Sequence, residues 1–264
     1  MWLFCLQSLF REYGWQFLKR VVVSHPVRTA RAVFDAGALD FSGDRIEVFD
    51  KAPSQNLDGA RSIVGVGFCL KPMNPPCPSG RPNHDCQYLE RLIHTHLSDV
   101  SDLSDLSDSC RRCLIREIGI LALETGAAFY IMTSAKDILS DVYAPALDEG
   151  RFSSGLFVLC RYSLRPFAVG LLASGIRAWL FPLERGDCRD YRTWLQADRG
   201  VKDEQTAIAE QNRRFVRRLL GNAAKKPTHY RQFERQGNVL YSRNEGRNLL
   251  RGTDGRLECE SASI

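Results

Sequence analysis

Between Leu114 and Phe181 the chain alternates helix-period and strand-like apolar runs, an order that few folds accept. Leu114, Ile115, Ile118, Leu121 and Ala122 share one helical face, and Gly126 ends that run. Ala127 to Met132 (AAFYIM) follows as a strand, Ser134 to Val142 as a short helix, and Gly155 to Cys160 (GLFVLC) as a second strand. Ser163 to Ser174 is an apolar helix stopped by Gly175, and Arg177 to Phe181 (RAWLF) is a third strand. Upstream, Ser62 to Phe68 (SIVGVGF) has the β-branched, apolar character of a buried strand. Short strands joined by helices pair through right-handed crossovers, which make them parallel. The expected fold is α/β: a small open, mostly parallel sheet with flanking helices, plus a helical N-terminal segment and a basic C-terminal helix and tail.

Three segments are expected. Residues 1–60 are a helical N-terminal segment, with helices over 2–19 and 26–36, the second opening at His25-Pro26. A Gly-, Asp- and Ser-rich loop then runs from Ala38 to Gly59. Residues 61–200 are a cysteine-rich α/β domain, in which Asn83 or a neighbour caps a helix over His84 to His96. Within that domain, residues 98–109 repeat Ser-Asp at period three and are expected to be a solvated linker. Residues 201–264 combine an amphipathic helix over Asp203 to Leu220 with a polar, basic tail past Gly221 that is expected to be poorly ordered.

With 264 residues, 44% of them hydrophobic, the chain can bury a real core. The best membrane-span candidate, Ile118 to Ala135, is broken by Glu124 and Gly126. The first residues, MWLFCLQSLF, have no basic residues ahead of their apolar run, so an amphipathic core-packing helix is expected rather than a signal peptide. The net charge of +5 resides in the last segment alone. Arg213, Arg214, Arg217, Arg218, Lys225 and Lys226 could touch nucleic acid, although a solvated basic face is the commoner explanation.

Nine cysteines without a secretory signal argue for a reducing, cytoplasmic setting, and for metal or redox chemistry over a disulfide framework. Seven lie between Cys69 and Cys188. Cys69, Cys77 and Cys86 form C-x7-C-x8-C around the proline-rich loop KPMNPPCPSGRP, and Cys110 and Cys113 form C-x2-C at a helix start. Helix N-termini favour thiolates, the form that binds iron or zinc. Cys69, Cys160 and Cys188 follow strands, at the carboxyl edge where α/β sheets collect ligands. Asn83, His84 and Asp85 could add an outer shell or a non-cysteine ligand. Cys5 and Cys259 have no companions and are expected to be bystanders.

The stretch CRRCLIREIG, then AAFYIM, GLFVLCRYSL and RAWLFPLERGDC, resembles an uncharacterised cysteine-rich domain-of-unknown-function family, the "116" family. The likeness covers roughly Cys110 to Cys188 and implies cysteine-dependent metal chemistry. Arg111-Arg112 stands where that pattern carries a glycine-containing pair.

The leading expectation is a cysteine-ligated iron–sulfur or other metal-binding protein. Cys69, Cys77, Cys86, Cys110 and Cys113 are its first ligands, Cys160 and Cys188 are further ligands or redox thiols, and its partner is a redox protein. The alternative is a structural zinc site pinning the proline-rich loop within a non-catalytic interaction module. A C-x2-C redox enzyme is a third reading, weakened by the linker that stands where a strand should precede the motif. No Walker A loop, nucleophile elbow or H-E-x-x-H is present. His94 and His96 are two apart and face different sides of a helix.

Overall fold

The computed structural model describes residues 13–49, 57, 59–94, 106–199, 201–223 and 232–243. It begins in α1 (Tyr13–Phe17), which widens into π-helical turns over Leu18–Val23. Pro26 opens α2 (Pro26–Ala38), at a position where a missing N–H costs nothing. The start of the expected first helix, over 2–12, lies outside the described residues. The expected loop contains a short strand, β1 (Ile46–Val48), whose two valine and isoleucine side chains are buried and whose Glu47 is exposed. Three residues are too few for an alternating pattern to be read from sequence.

Next come β2 (Ser62–Gly67), α3 (Gln87–His94), α4 (Asp108–Arg111), α5 (Leu114–Thr125) and β3 (Ala128–Met132). Gly126 closes α5 in the left-handed region at φ 83°. The single short helix expected over 134–142 is longer. It starts as α6 (Ala135–Ile138), passes through π-helical turns at Leu139–Tyr143, and ends as α7 (Ala144–Glu149). Then follow β4 (Ser154–Leu159), α8 (Arg161–Ser174), β5 (Arg177–Arg185), α9 (Tyr191–Asp198), β6 (Ala207–Ile208), α10 (Glu210–Ala223), β7 (Gln232–Gln236) and β8 (Val239–Arg243).

The strands form one open sheet in the order β1-β5-β4-β2-β3-β8-β7, with β6 added to β5. Its centre, β5-β4-β2-β3, is parallel, and the outer strands β1, β8 and β7 run antiparallel. The fold is therefore α/β, with segments from both ends of the chain joining the central sheet. From β2 the chain crosses to β3 on one side, then returns past β2 to β4 and β5 on the other. The direction of winding reverses between β2 and β4, and a crevice opens at their carboxyl ends.

Alternation along each strand divides the core between two faces. Val64, Val66, Leu156, Val158, Trp179 and Phe181 pack with α3, α5 and α10, while Ile63, Phe157, Leu159 and Leu180 pack with α2 and α8. Both faces being covered explains why the central strands read as continuous apolar runs.

Three boundaries depart from expectation. The helix expected from His84 begins at Gln87, and the carbonyl of Cys86, not Asn83, accepts the Glu90 amide at 2.9 Å. The helix expected from Asp203 begins at Glu210, because Ala207 and Ile208 pair with β5 instead. Residues 232–243, expected within a poorly ordered tail, form a hairpin on β3. Its two-residue turn Gly237-Asn238 suits tight reversal, with Gly237 at φ 58°, and Phe233, Leu240 and Tyr241 are buried. Of the Ser-Asp repeat, 98–105 lie outside the described residues, and Ser107 caps α4. No helix among the described residues is long and apolar enough to cross a membrane.

Candidate functional site

The seven clustered cysteines are all free and divide into two groups. Cys77, Cys86, Cys110 and Cys113 form the first, brought together by the proline-rich loop and the starts of α3 and α5. Cys86 precedes α3 and Cys113 is the N-cap of α5. No side-chain cap bond closes at Cys113, yet the amides of Arg116 and Ile115 lie where they favour its thiolate. The Leu89 and Tyr88 amides do the same for Cys86. Burial opposes them: it pushes the Cys86 thiol up to about 12 and the Cys113 thiol upward as well, and the neighbouring sulfurs of Cys77 and Cys110 add to the rise.

Beside these thiols stands Lys71, only 1% exposed. Its amino group donates to the Asn83 side-chain oxygen; burial pulls it below the usual lysine value, and Cys77, Cys86, Asp85 and Cys113 stand where they oppose that. A buried ammonium needs an anionic partner, and here the chain supplies chiefly thiols. Among the described residues, no three or more His, Cys, Asp or Glu side chains are gathered closely enough to grip an ion as they stand. Ligation at this group requires its side chains to draw inward; Cys77 and Cys110 are its half-exposed members.

Cys69, Cys160 and Cys188 form the second group. Cys69 lies just past β2, Cys160 is the N-cap of α8 directly after β4, and Cys188 lies in the loop after β5. They stand at the carboxyl edge where the winding reverses. The Lys202 ammonium donates to the Cys188 sulfur at 3.7 Å, and the Ser163 hydroxyl lies 2.9 Å from the Cys160 sulfur. Their mutual interaction pushes the Cys160 thiol up and the Cys188 thiol down, and Lys202 lowers Cys188 further. Burial pushes Cys69 up, and the nearby Lys202 opposes that rise.

All three thiols line a cavity of about 470 Å³ whose other walls are mainly apolar, including Val33, Met132, Ile138, Leu159, Phe167 and Trp194. Thr133, Ser134 and Ser163 add hydroxyls, and Arg165 a charge. Arg81 separates the two thiol groups: it donates to the Cys69 carbonyl at 3.2 Å and faces both Cys69 and Cys77.

The structure thus parts Cys69 from the four cysteines it was expected to join. Asn83 holds Lys71 rather than a metal, and Asp85 pairs with Arg235 at 3.0 Å. His84 turns to the end of β3, with Nδ1 2.7 Å from the Ile131 carbonyl and Nε2 2.9 Å from the Thr133 hydroxyl. Cys5, Cys259, His96, Lys225 and Lys226 lie outside the described residues. Of the C-terminal arginines, Arg213 and Arg217 bind Glu117 and Arg214 binds Glu210. Sequence reasoning missed Lys71 and Lys202, since a lone lysine carries no motif, and missed the cavity, which α2 and α8 close only in three dimensions. No family model, curated protein or solved structure matches the chain.

Proposed function

We propose that the chain is a cysteine-ligated metal protein whose centre is an iron–sulfur cluster held by Cys77, Cys86, Cys110 and Cys113. The observation that carries this reading is the buried Lys71 ammonium amid those thiols, beside two helix starts whose amides favour thiolate. Four thiolates around a metal are net anionic and would neutralise that cation, whereas four neutral thiols would leave it short of charge. All-sulfur ligation suits iron–sulfur centres and zinc alike. A cluster would supply one-electron redox chemistry. The chain's own residues would orient the sulfurs through first-turn amides, balance the charge through Lys71, and expose Cys77 and Cys110 toward a redox partner protein. The seven free cysteines among the described residues fit a reducing compartment such as the cytoplasm.

Metal analysis with an absorbance spectrum on anaerobically purified protein tests this. Brown protein carrying iron and sulfide, lost in the Cys86→Ser, Cys113→Ser double variant, is expected. Colourless protein with zinc would replace the cluster by a structural ion at the same residues. Protein with neither, after reconstitution, would overturn the assignment.

A further inference from the structure

We propose that Cys188 and Cys160 are a redox-active dithiol that reduces small, apolar-bodied disulfides bound in the cavity at the β2/β4 reversal. The proposal is independent of the metal centre, which uses other cysteines. The two cysteines come from different loops and line one cavity at the carboxyl edge of the sheet, where α/β folds bind ligands. They also differ from each other. Cys188 accepts from Lys202, which favours it as the attacking thiolate, while Cys160 lies beside the Ser163 hydroxyl as the resolving thiol. Asp187, which also lies near Cys188, is occupied: its carboxylate accepts the Arg161 amide at 3.0 Å, at the start of α8. The third thiol, Cys69, lines the same cavity and faces Lys202 and Cys188.

The cavity dictates the substrate. Cys160 is 8% exposed and Cys188 4%, so a disulfide must enter the cavity to reach them. Its volume suits a small molecule, and its walls of Val33, Ile138, Phe167 and Trp194 favour apolar substituents. A cystine on a protein surface would bring backbone that these walls cannot hydrogen-bond.

The chemistry closes on itself. The Cys188 thiolate attacks one sulfur of R–S–S–R, the substrate S–S bond breaks, and R–S⁻ leaves and takes a proton. Cys160 then gives up its proton and attacks the Cys188 sulfur of the mixed disulfide. The second R–S⁻ leaves and is protonated, and a Cys160–Cys188 disulfide remains. The substrate gains two electrons and two protons, and the protein dithiol loses them. An external low-molecular-weight dithiol restores the pair.

Full-length protein, reduced with dithiothreitol and desalted, is mixed with one equivalent of dithiodipyridine, and disulfide-linked peptides are then mapped. The expected wild-type result is two thiopyridone equivalents per probe and a Cys160–Cys188 linked peptide. Cys160→Ser should stop at one equivalent, with the other held on Cys188 as a mixed disulfide. Val33→Trp places bulk in the cavity from a half-exposed position that tolerates it. It should slow dithiodipyridine about tenfold more than it slows iodoacetamide at Cys188. Linkage through other cysteines, or glutathione disulfide reacting as fast as dithiodipyridine, would overturn the proposal. The metal reading is judged by metal content alone, so the two can fail separately.

Discussion

Cys86 and Cys160 both stand at the starts of helices, yet their surroundings direct them to different chemistry. Cys86 sits above a proline-rich loop beside Cys77, Cys113 and a buried lysine. Cys160 sits at the end of a parallel strand, its sulfur beside Cys188, and opens onto about 470 Å³ of apolar space. The first arrangement gathers sulfur around fixed charge, which suits ligation. The second pairs unlike thiols beside room for a substrate, which suits reaction. A helix start prepares a thiol, and what faces it decides the use.

The largest expected effect separates the two groups through folding stability. Metal bound only by the native loop stabilises by about 4 kcal/mol when free metal exceeds its dissociation constant a thousandfold. Thermal unfolding with and without a chelator should show that gap in wild-type protein and in Cys160→Ser, and lose it in the Cys86→Ser, Cys113→Ser double variant. A gap that follows Cys160 instead would exchange the roles of the two groups.

Lys71 gives the next test, through the sign of an effect. If the four sulfurs become thiolates around a metal, Lys71→Met leaves buried negative charge unpaired and costs about 3 kcal/mol in metal-loaded protein. If they remain neutral thiols, the same change removes a poorly compensated cation and stabilises. Denaturant unfolding of loaded and chelated protein distinguishes these outcomes.

Gly119 bears on how the ligand-bearing helices meet. A Cβ added there would lie 2.5 Å from Leu89 Cδ1 and 3.1 Å from Phe129 Cε1, so α5 approaches α3 closely only because the side chain is absent. Gly119→Ala should cost about 2 kcal/mol by overpacking. It should also weaken metal uptake by spreading the Cys86 and Cys113 helix starts, while dithiodipyridine reduction at Cys188 is affected less.

The parallel centre was legible because strands buried on both faces leave unmistakable runs, as in AAFYIM and GLFVLC. The outer strands were not. β1 is three residues long, β6 two, and the hairpin lies in a stretch whose charged residues mask Phe233 and Tyr241. Cysteine spacing singled out seven residues but could not apportion them between two groups. Cys69 is nearer in sequence to Cys77, yet β2 delivers it to the sheet edge beside Cys188, and only strand order reveals that. Lys71 and Lys202 owe their meaning wholly to burial and neighbours.

The smallest expected effect concerns Glu117, which ties α10 to α5. Burial pushes its carboxyl up, but hydrogen bonds from Arg217 and from Arg213, the latter at 2.6 Å, outweigh that and hold it below the usual carboxylate range. A depressed folded value means that the ion pairs stabilise fully above the unfolded carboxylate value of about 4.3. That contribution is then lost as pH falls through the folded value. Arg217 is 48% exposed, so solvent screening holds the effect of Glu117→Gln near neutral pH to about 1 kcal/mol. Urea midpoints measured from neutral pH down to acid should show the variant and wild type converging as the carboxylate protonates. Because Glu117 lies one turn past Cys113 on α5, loosening its ion pairs tests whether the ligand group depends on that brace. Unchanged metal affinity in Glu117→Gln would place the rigidity of the site in the α3–α5 contact alone.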